Sequence, residues 1–170
     1  MRKRKNHIRL LMRLEDTPDY VVIHIGGNDR LEDTPDYVVI HIWGNDIGDI
    51  RVGHLHYLLV RFIFWLTQMM PQTRLISSAI LPRLTWKYLD NNDRMEKCRR
   101  RLNSSMGLHM VRHGGYYIKY PETKADRCFL KTDGVHITKI GNQVFWNILQ
   151  GTIEQIVKSK VGGITFPDLY

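Results

Sequence analysis

Apolar positions along this chain fall into two rhythms. The run YVVIHI occurs twice, at Tyr20 to Ile25 and Tyr37 to Ile42, each time shortly after a Pro-Asp pair and each time leading into a Gly-Asn-Asp turn. β-Branched apolar residues bounded by such breakers predict a strand. Both faces of the run are apolar, the pattern of a parallel strand covered by helices on either side. Val52, Leu55, Leu59, Phe62, Ile63, Leu66, Met69 and Met70 then recur at helical spacing until Pro71, which predicts a crossover helix. RLISSAIL, Arg74 to Leu81, predicts a second buried strand closed by Pro82. Met95, Cys98, Leu102, Met106 and His109 mark one face of a helix over about residues 93–113, with its arginines turned to solvent and Gly114-Gly115 as the stop. YYIKY, Tyr116 to Tyr120, predicts a third strand. Thr138 stands as the N-cap of a last helix, whose apolar face carries Ile140, Val144, Phe145, Ile148, Leu149, Ile153 and Ile156 as far as Lys158. This alternation predicts an α/β fold with a mainly parallel sheet, helices on both faces and right-handed crossovers. In such sheets ligands bind beyond the carboxyl ends of the strands.

The two YVVIHI runs belong to a longer duplication. RLEDTPDYVVIHIGGND, Arg13 to Asp29, is followed at once by RLEDTPDYVVIHIWGND, Arg30 to Asp46, with Trp43 where Gly26 stood. Parallel neighbours need a dozen or more connecting residues, and only seven, Arg30 to Asp36, separate Asp29 from Tyr37. At most one copy is therefore a regular parallel strand. The other is antiparallel, an edge ribbon or displaced. The second copy leads directly into the crossover helix and is favoured for the sheet, while the first reads as an insertion whose deletion is expected to leave the fold intact. Trp43 weighs the other way, because it replaces a glycine at a strand end. The organisation expected is a basic start with the duplicated segment over 1–30, the α/β domain over 31–160 and a tail over 161–170.

Charge and cysteine content change this picture little. The chain has 170 residues and a formal net charge of +8, concentrated in MRKRK at the start and in Lys97, Arg99, Arg100 and Arg101. A basic balance raises nucleic acid as a partner, although both clusters read more simply as solvated segments. Cys98 and Cys128 are too far apart in sequence for a Cys-x-x-Cys unit, so neither a zinc cluster nor a disulfide framework is suggested. The first apolar stretch is too short for a signal peptide, and Tyr57 to Leu66 falls short of a membrane span. An intracellular, cytoplasmic protein is expected, with no cofactor, no metal and no membrane partner; its oligomeric state is left open.

Asp133 and His136 are the residues with most chemical promise. They lie on the turn before the last helix, where a carboxylate three residues ahead of an imidazole can hold one ring nitrogen and leave the other as a general base. An Asp-Gly turn preceding a histidine would look the same. The Gly-Asn-Asp turn after the strand places Gly44 and Asn45 as oxyanion donors, or Gly27 and Asn28 if the first copy serves instead. His54 and His56 have His-x-His spacing but, two apart on a helix, face different directions, and His24 and His41 read as sheet residues.

VVIHIWGNDIG and DGVHIT resemble the third and fifth blocks, Gly-x-Asn-Asp and Asp-x-x-His, of the SGNH (GDSL-like) hydrolases. RLISSAILPR and GGYYIKYPE are similar to the branch of that family found beside animal mobile elements, and the likeness spans roughly Thr34 to Val157. The resemblance implies a three-layer α/β/α sandwich, flavodoxin-like in plan, and an esterase in which a serine attacks a small-molecule ester. His136 would be the general base, Asp133 its orienting partner and Asn45 or Asn28 the oxyanion donor, with no metal required. The departure is that no serine precedes Ser77 and no Gly-Asp-Ser block is present. The first strand and the nucleophile of the family are thus missing, so an amino-terminally truncated, inactive esterase (a pseudoenzyme) is the leading expectation. The alternative is a non-catalytic binding module on the same scaffold, with nucleic acid as its ligand.

Overall fold

The structure is a computed structural model that describes residues 8–10, 20–25, 35–42, 44–86, 91–159 and 163–166. Its elements in chain order are β1 (Ile8–Leu10), β2 (Tyr20–Ile25), β3 (Tyr37–Ile42), α1 (Val52–Met69), β4 (Arg74–Ser78), α2 (Asn92–Arg112), β5 (Tyr116–Ile118), α3 (Lys139–Ser159) and β6 (Ile164–Phe166). They build a sheet in the order β1-β2-β3-β4-β5-β6. Strands β3 to β6 are parallel neighbours, and the α/β fold with a mainly parallel sheet is the one expected.

Both copies of YVVIHI are strands, and the connection-length argument decides how they pair. The second copy, β3, lies parallel to β4, whereas the first, β2, lies antiparallel to β3 over the full six residues, with Tyr20 opposite Ile42 and Ile25 opposite Tyr37. An antiparallel pair needs only a short connection. The first copy is therefore joined to the sheet rather than displaced, and it covers an edge that β3 would otherwise present. The sheet crosses the expected boundary near residue 30. It also extends into the expected tail, where Ile164–Phe166 pairs with Tyr116–Ile118 as β6.

Strand β4 stops three residues before the expected Leu81. Ala79 still donates to Ile118, but the peptide of Ile80 is captured by Asn103 of α2, whose Oδ1 accepts from Ile80 N at 2.9 Å while its Nδ2 donates to Ile80 O at 3.0 Å. A side-chain amide thus takes over both backbone groups that a further ladder step would need.

The core lies on both faces of the parallel strands. Val39, Ile76 and Ile118 point to one face and Val38, Leu75 and Tyr117 to the other, all 6% exposed or less. Phe145 of α3 packs on the first face, its ring 5.1 Å from those of both His41 and Tyr120. Helix α2 packs on the second, where Gly107 lies so close to the Tyr117 ring that a Cβ would approach it to 2.9 Å. Helices α2 and α3 both step in the same direction across the sheet but over opposite faces. Their crossovers consequently have opposite hands, and the expectation of uniformly right-handed connections fails at one of them.

Two expected helix faces need correction. Thr138 does cap α3, its Oγ1 accepting from Gly141 N at 3.0 Å, but Ile140 in the first turn is exposed. Arg99 is not a solvated residue of α2: its side chain is 13% exposed, pairs with Glu96 and donates to Ile80 O at 2.6 Å. No helix among the described residues is long and apolar enough to cross a membrane.

Candidate functional site

The connections leaving the carboxyl ends of β3, β4 and β5 supply every side chain of the site. After β5 the chain folds into a closed turn, in which Lys131 N donates to His136 O at 2.7 Å and Gly134 N to Lys131 O at 2.9 Å. Gly134 takes φ +71°, and a Cβ there would come within 2.9 Å of Leu84 and Thr85, so the position suits glycine alone. Asp133 organises the turn through both carboxylate oxygens. Its Oδ1 accepts from the backbone N–H groups of Val135 and His136 at 2.9 Å each, and its Oδ2 meets His136 Nδ1 at 2.8 Å. The two backbone donors, with the imidazole third, hold the Asp133 carboxyl down to about 2. It is ionised at any pH near neutrality.

The dyad expected from Asp133 and His136 is therefore formed. Nδ1 is engaged by the carboxylate, which leaves Nε2 as the nitrogen able to take a proton from an attacking group. Both side chains are open, 62% exposed for His136 and 48% for Asp133.

Asn45 follows β3 at the same edge of the sheet. Its Oδ1 accepts from Arg83 Nη2 at 2.8 Å. With the oxygen so held, Nδ2 is the donor end of the amide left for other contacts. The preceding Gly44 is buried at φ +68°, and a Cβ would lie 2.7 Å from Ile80. The rival pair Gly27 and Asn28 lies outside the described residues.

The loop after β4 joins the two halves. Arg83 holds Asn45 and lies over the Trp86 ring at 5.3 Å, Leu84 N donates to Gly134 O at 2.8 Å, and Thr85 Oγ1 donates to Asp133 O at 2.6 Å. One strap of three residues thus holds both the Asn45 amide and the backbone of the Asp133 turn. Sequence reasoning assigned no role to Arg83, Leu84 or Thr85. The available signal was Pro82 followed by a basic and aromatic pair, Arg83 and Trp86, at a strand end where ligands bind.

A second histidine is placed very differently. His41 Nδ1 lies 2.8 Å from Ser78 Oγ, and Ser78 Oγ lies 2.7 Å from Tyr120 OH. These groups sit beneath Phe145, with His41 5% and Ser78 3% exposed. Burial drives His41 down to about 4 and pushes the Tyr120 phenol up. The serine and imidazole touch, but no substrate reaches them. Ser77, on the opposite face, is 2% exposed.

His54 is exposed, and His56 has a buried Nε2 without a hydrogen-bond partner. Among the described residues no three His, Cys, Asp or Glu side chains are arranged to hold a metal ion. Comparison of the chain with protein-family models, with curated proteins and with solved structures gives no match.

Proposed function

We propose that this chain carries the acid–base half of an SGNH-type ester hydrolase on a three-layer α/β/α scaffold, without the serine that would attack. His136 acts as general base, Asp133 orients it, and Asn45 with the Gly44 peptide forms the oxyanion side. The observation that carries the reading is the 2.8 Å contact between Asp133 Oδ2 and His136 Nδ1 at the carboxyl edge of the sheet. It leaves Nε2 free in an open position, the arrangement a proton-accepting histidine needs. A closed turn explains the same contact without chemistry. What adds weight to the catalytic reading is the Arg83–Thr85 strap, which ties that turn to Asn45, an element 88 positions earlier.

No serine precedes Ser77 in the sequence, and the hydroxyls of Ser77 and Ser78 are buried in β4. The chain is accordingly expected to hydrolyse a short-chain activated ester no faster than its His136→Ala variant. A rate that depends on His136, or labelling of Ser77 or Ser78 by a serine-directed phosphonate, would restore a working enzyme. The alternative of a nucleic-acid-binding module rests on net charge. It is weakened by α2, where Arg99 is turned inward to Glu96 and Ile80 O.

A further inference from the structure

A second concavity opens between α2 and the end of β5. Its volume is about 380 Å³, within the range of small-molecule sites. The walls are Ile80, Tyr120 and Pro121, and the charged groups on its rim are Arg100 and Lys119, beside Ser104. Neither Asp133 nor His136 contributes to it.

Two observations indicate what this cleft would hold. The first is its charge. Arg99, which also lines it, is used internally by Glu96 and Ile80, but Arg100 is 65% exposed and keeps only the longer contact to the shared Glu96, at 3.7 Å, and no acidic side chain lines the cavity among the described residues. The second is the apolar wall, which would leave a bare inorganic ion poorly surrounded.

We propose that this cleft binds a small organic anion, a phosphate or carboxylate carried on a flat apolar body, with Arg100 and Lys119 receiving the acid group and Ile80 and Pro121 receiving the body. This assignment is independent of the hydrolase reading, since it uses none of that site's residues.

The test is calorimetric titration of the full chain with phenyl phosphate and with benzoate, alongside benzyl alcohol and inorganic phosphate. Saturable binding of at least one aromatic anion is expected, tighter than either control, and the better anion identifies the acid group. The Arg100→Gln, Lys119→Gln double variant should bind roughly tenfold or more weakly. Both substitutions should leave the circular dichroism spectrum unchanged, and His136→Ala should bind like wild type. Absence of saturable heat for both anions up to about 10 mM would overturn the proposal. So would equal binding of benzyl alcohol, or loss of binding in His136→Ala, which would place the anion at the dyad. A single-stranded oligonucleotide that binds through Arg100 and Lys119 with steep salt dependence, where the aromatic anions fail, would replace the small ligand by nucleic acid.

Discussion

The dyad at Asp133–His136 and the chain His41–Ser78–Tyr120 use similar chemistry in opposite surroundings. Each sets an imidazole Nδ1 2.8 Å from an oxygen. One is an imidazole–carboxylate contact in the open, on a turn whose backbone donors stabilise the carboxylate. The other is neutral, enclosed by Phe145 and Tyr120 and spread across β3, β4 and the end of β5. A histidine beside a serine suggests a hydrolase on paper, yet here that pair is a core contact, and the histidine beside an aspartate is the one a substrate could reach. Proximity alone does not separate a reactive pair from a structural one. Exposure and the charge state that exposure permits do.

The largest perturbation of this contrast should come from deleting Arg13 to Asp29. That deletion removes β2 and uncovers the edge of β3, the strand that carries His41. A fall in melting temperature of more than about 5 °C is expected from the lost pairing, measured by thermal unfolding. An unchanged or higher value would show that the first copy is dispensable, as the sequence by itself suggested.

Next in size is a paired substitution. His41→Ala leaves a ring-sized cavity and takes a partner from Ser78, and should cost about 3 kcal/mol or more in urea unfolding. His136→Ala, in the open, should stay within about 0.5 kcal/mol. Similar costs at the two sites would erase the distinction between them.

Acid sharpens the same contrast. His41 is lowered by burial from 6.5 to about 4, so between those values the unfolded chain holds a proton that the folded chain does not. Stability contributed by this group is complete above about pH 6.5 and is lost as pH falls toward 4, amounting to about 3 kcal/mol. The loss should disappear in His41→Asn. Asp133, depressed to about 2 from 3.8, keeps its contribution above the unfolded value and loses it only as pH falls toward 2. Stability measured from pH 7 to 2 should therefore fall in two separate steps, and a single step near pH 4 would contradict the assignment.

The smallest effect concerns the basic run of α2. Arg99→Gln removes charged contacts to Glu96 and Ile80 and should cost about 1 to 2 kcal/mol. Arg101→Gln, on an exposed residue, should be nearly neutral in the same unfolding measurement.

Sequence by itself determined the three helices and the strands β2 to β5, because each is a local pattern: β-branched runs between breakers for β2 and β3, a 3.6-residue apolar rhythm for α1 and α3, and a threonine cap at Thr138; the three-residue strands β1 and β6 carry no such pattern and are defined by their pairing with β2 and β5. It also determined that two copies of one strand with only eleven residues between them, Gly26 to Asp36, could not be parallel neighbours, since that follows from chain length alone. The Asp133–His136 contact was legible for the same reason, being confined to one turn. What only tertiary structure decided is whatever depends on residues distant in the chain. Asn103 ends β4, Arg83 and Thr85 tie Asn45 to Asp133, Arg99 turns inward to Ile80, and α3 crosses the face opposite α2. Each arises when separate elements compete for the same backbone group or the same side of the sheet. No local period encodes that competition, and it is resolved only when the elements pack.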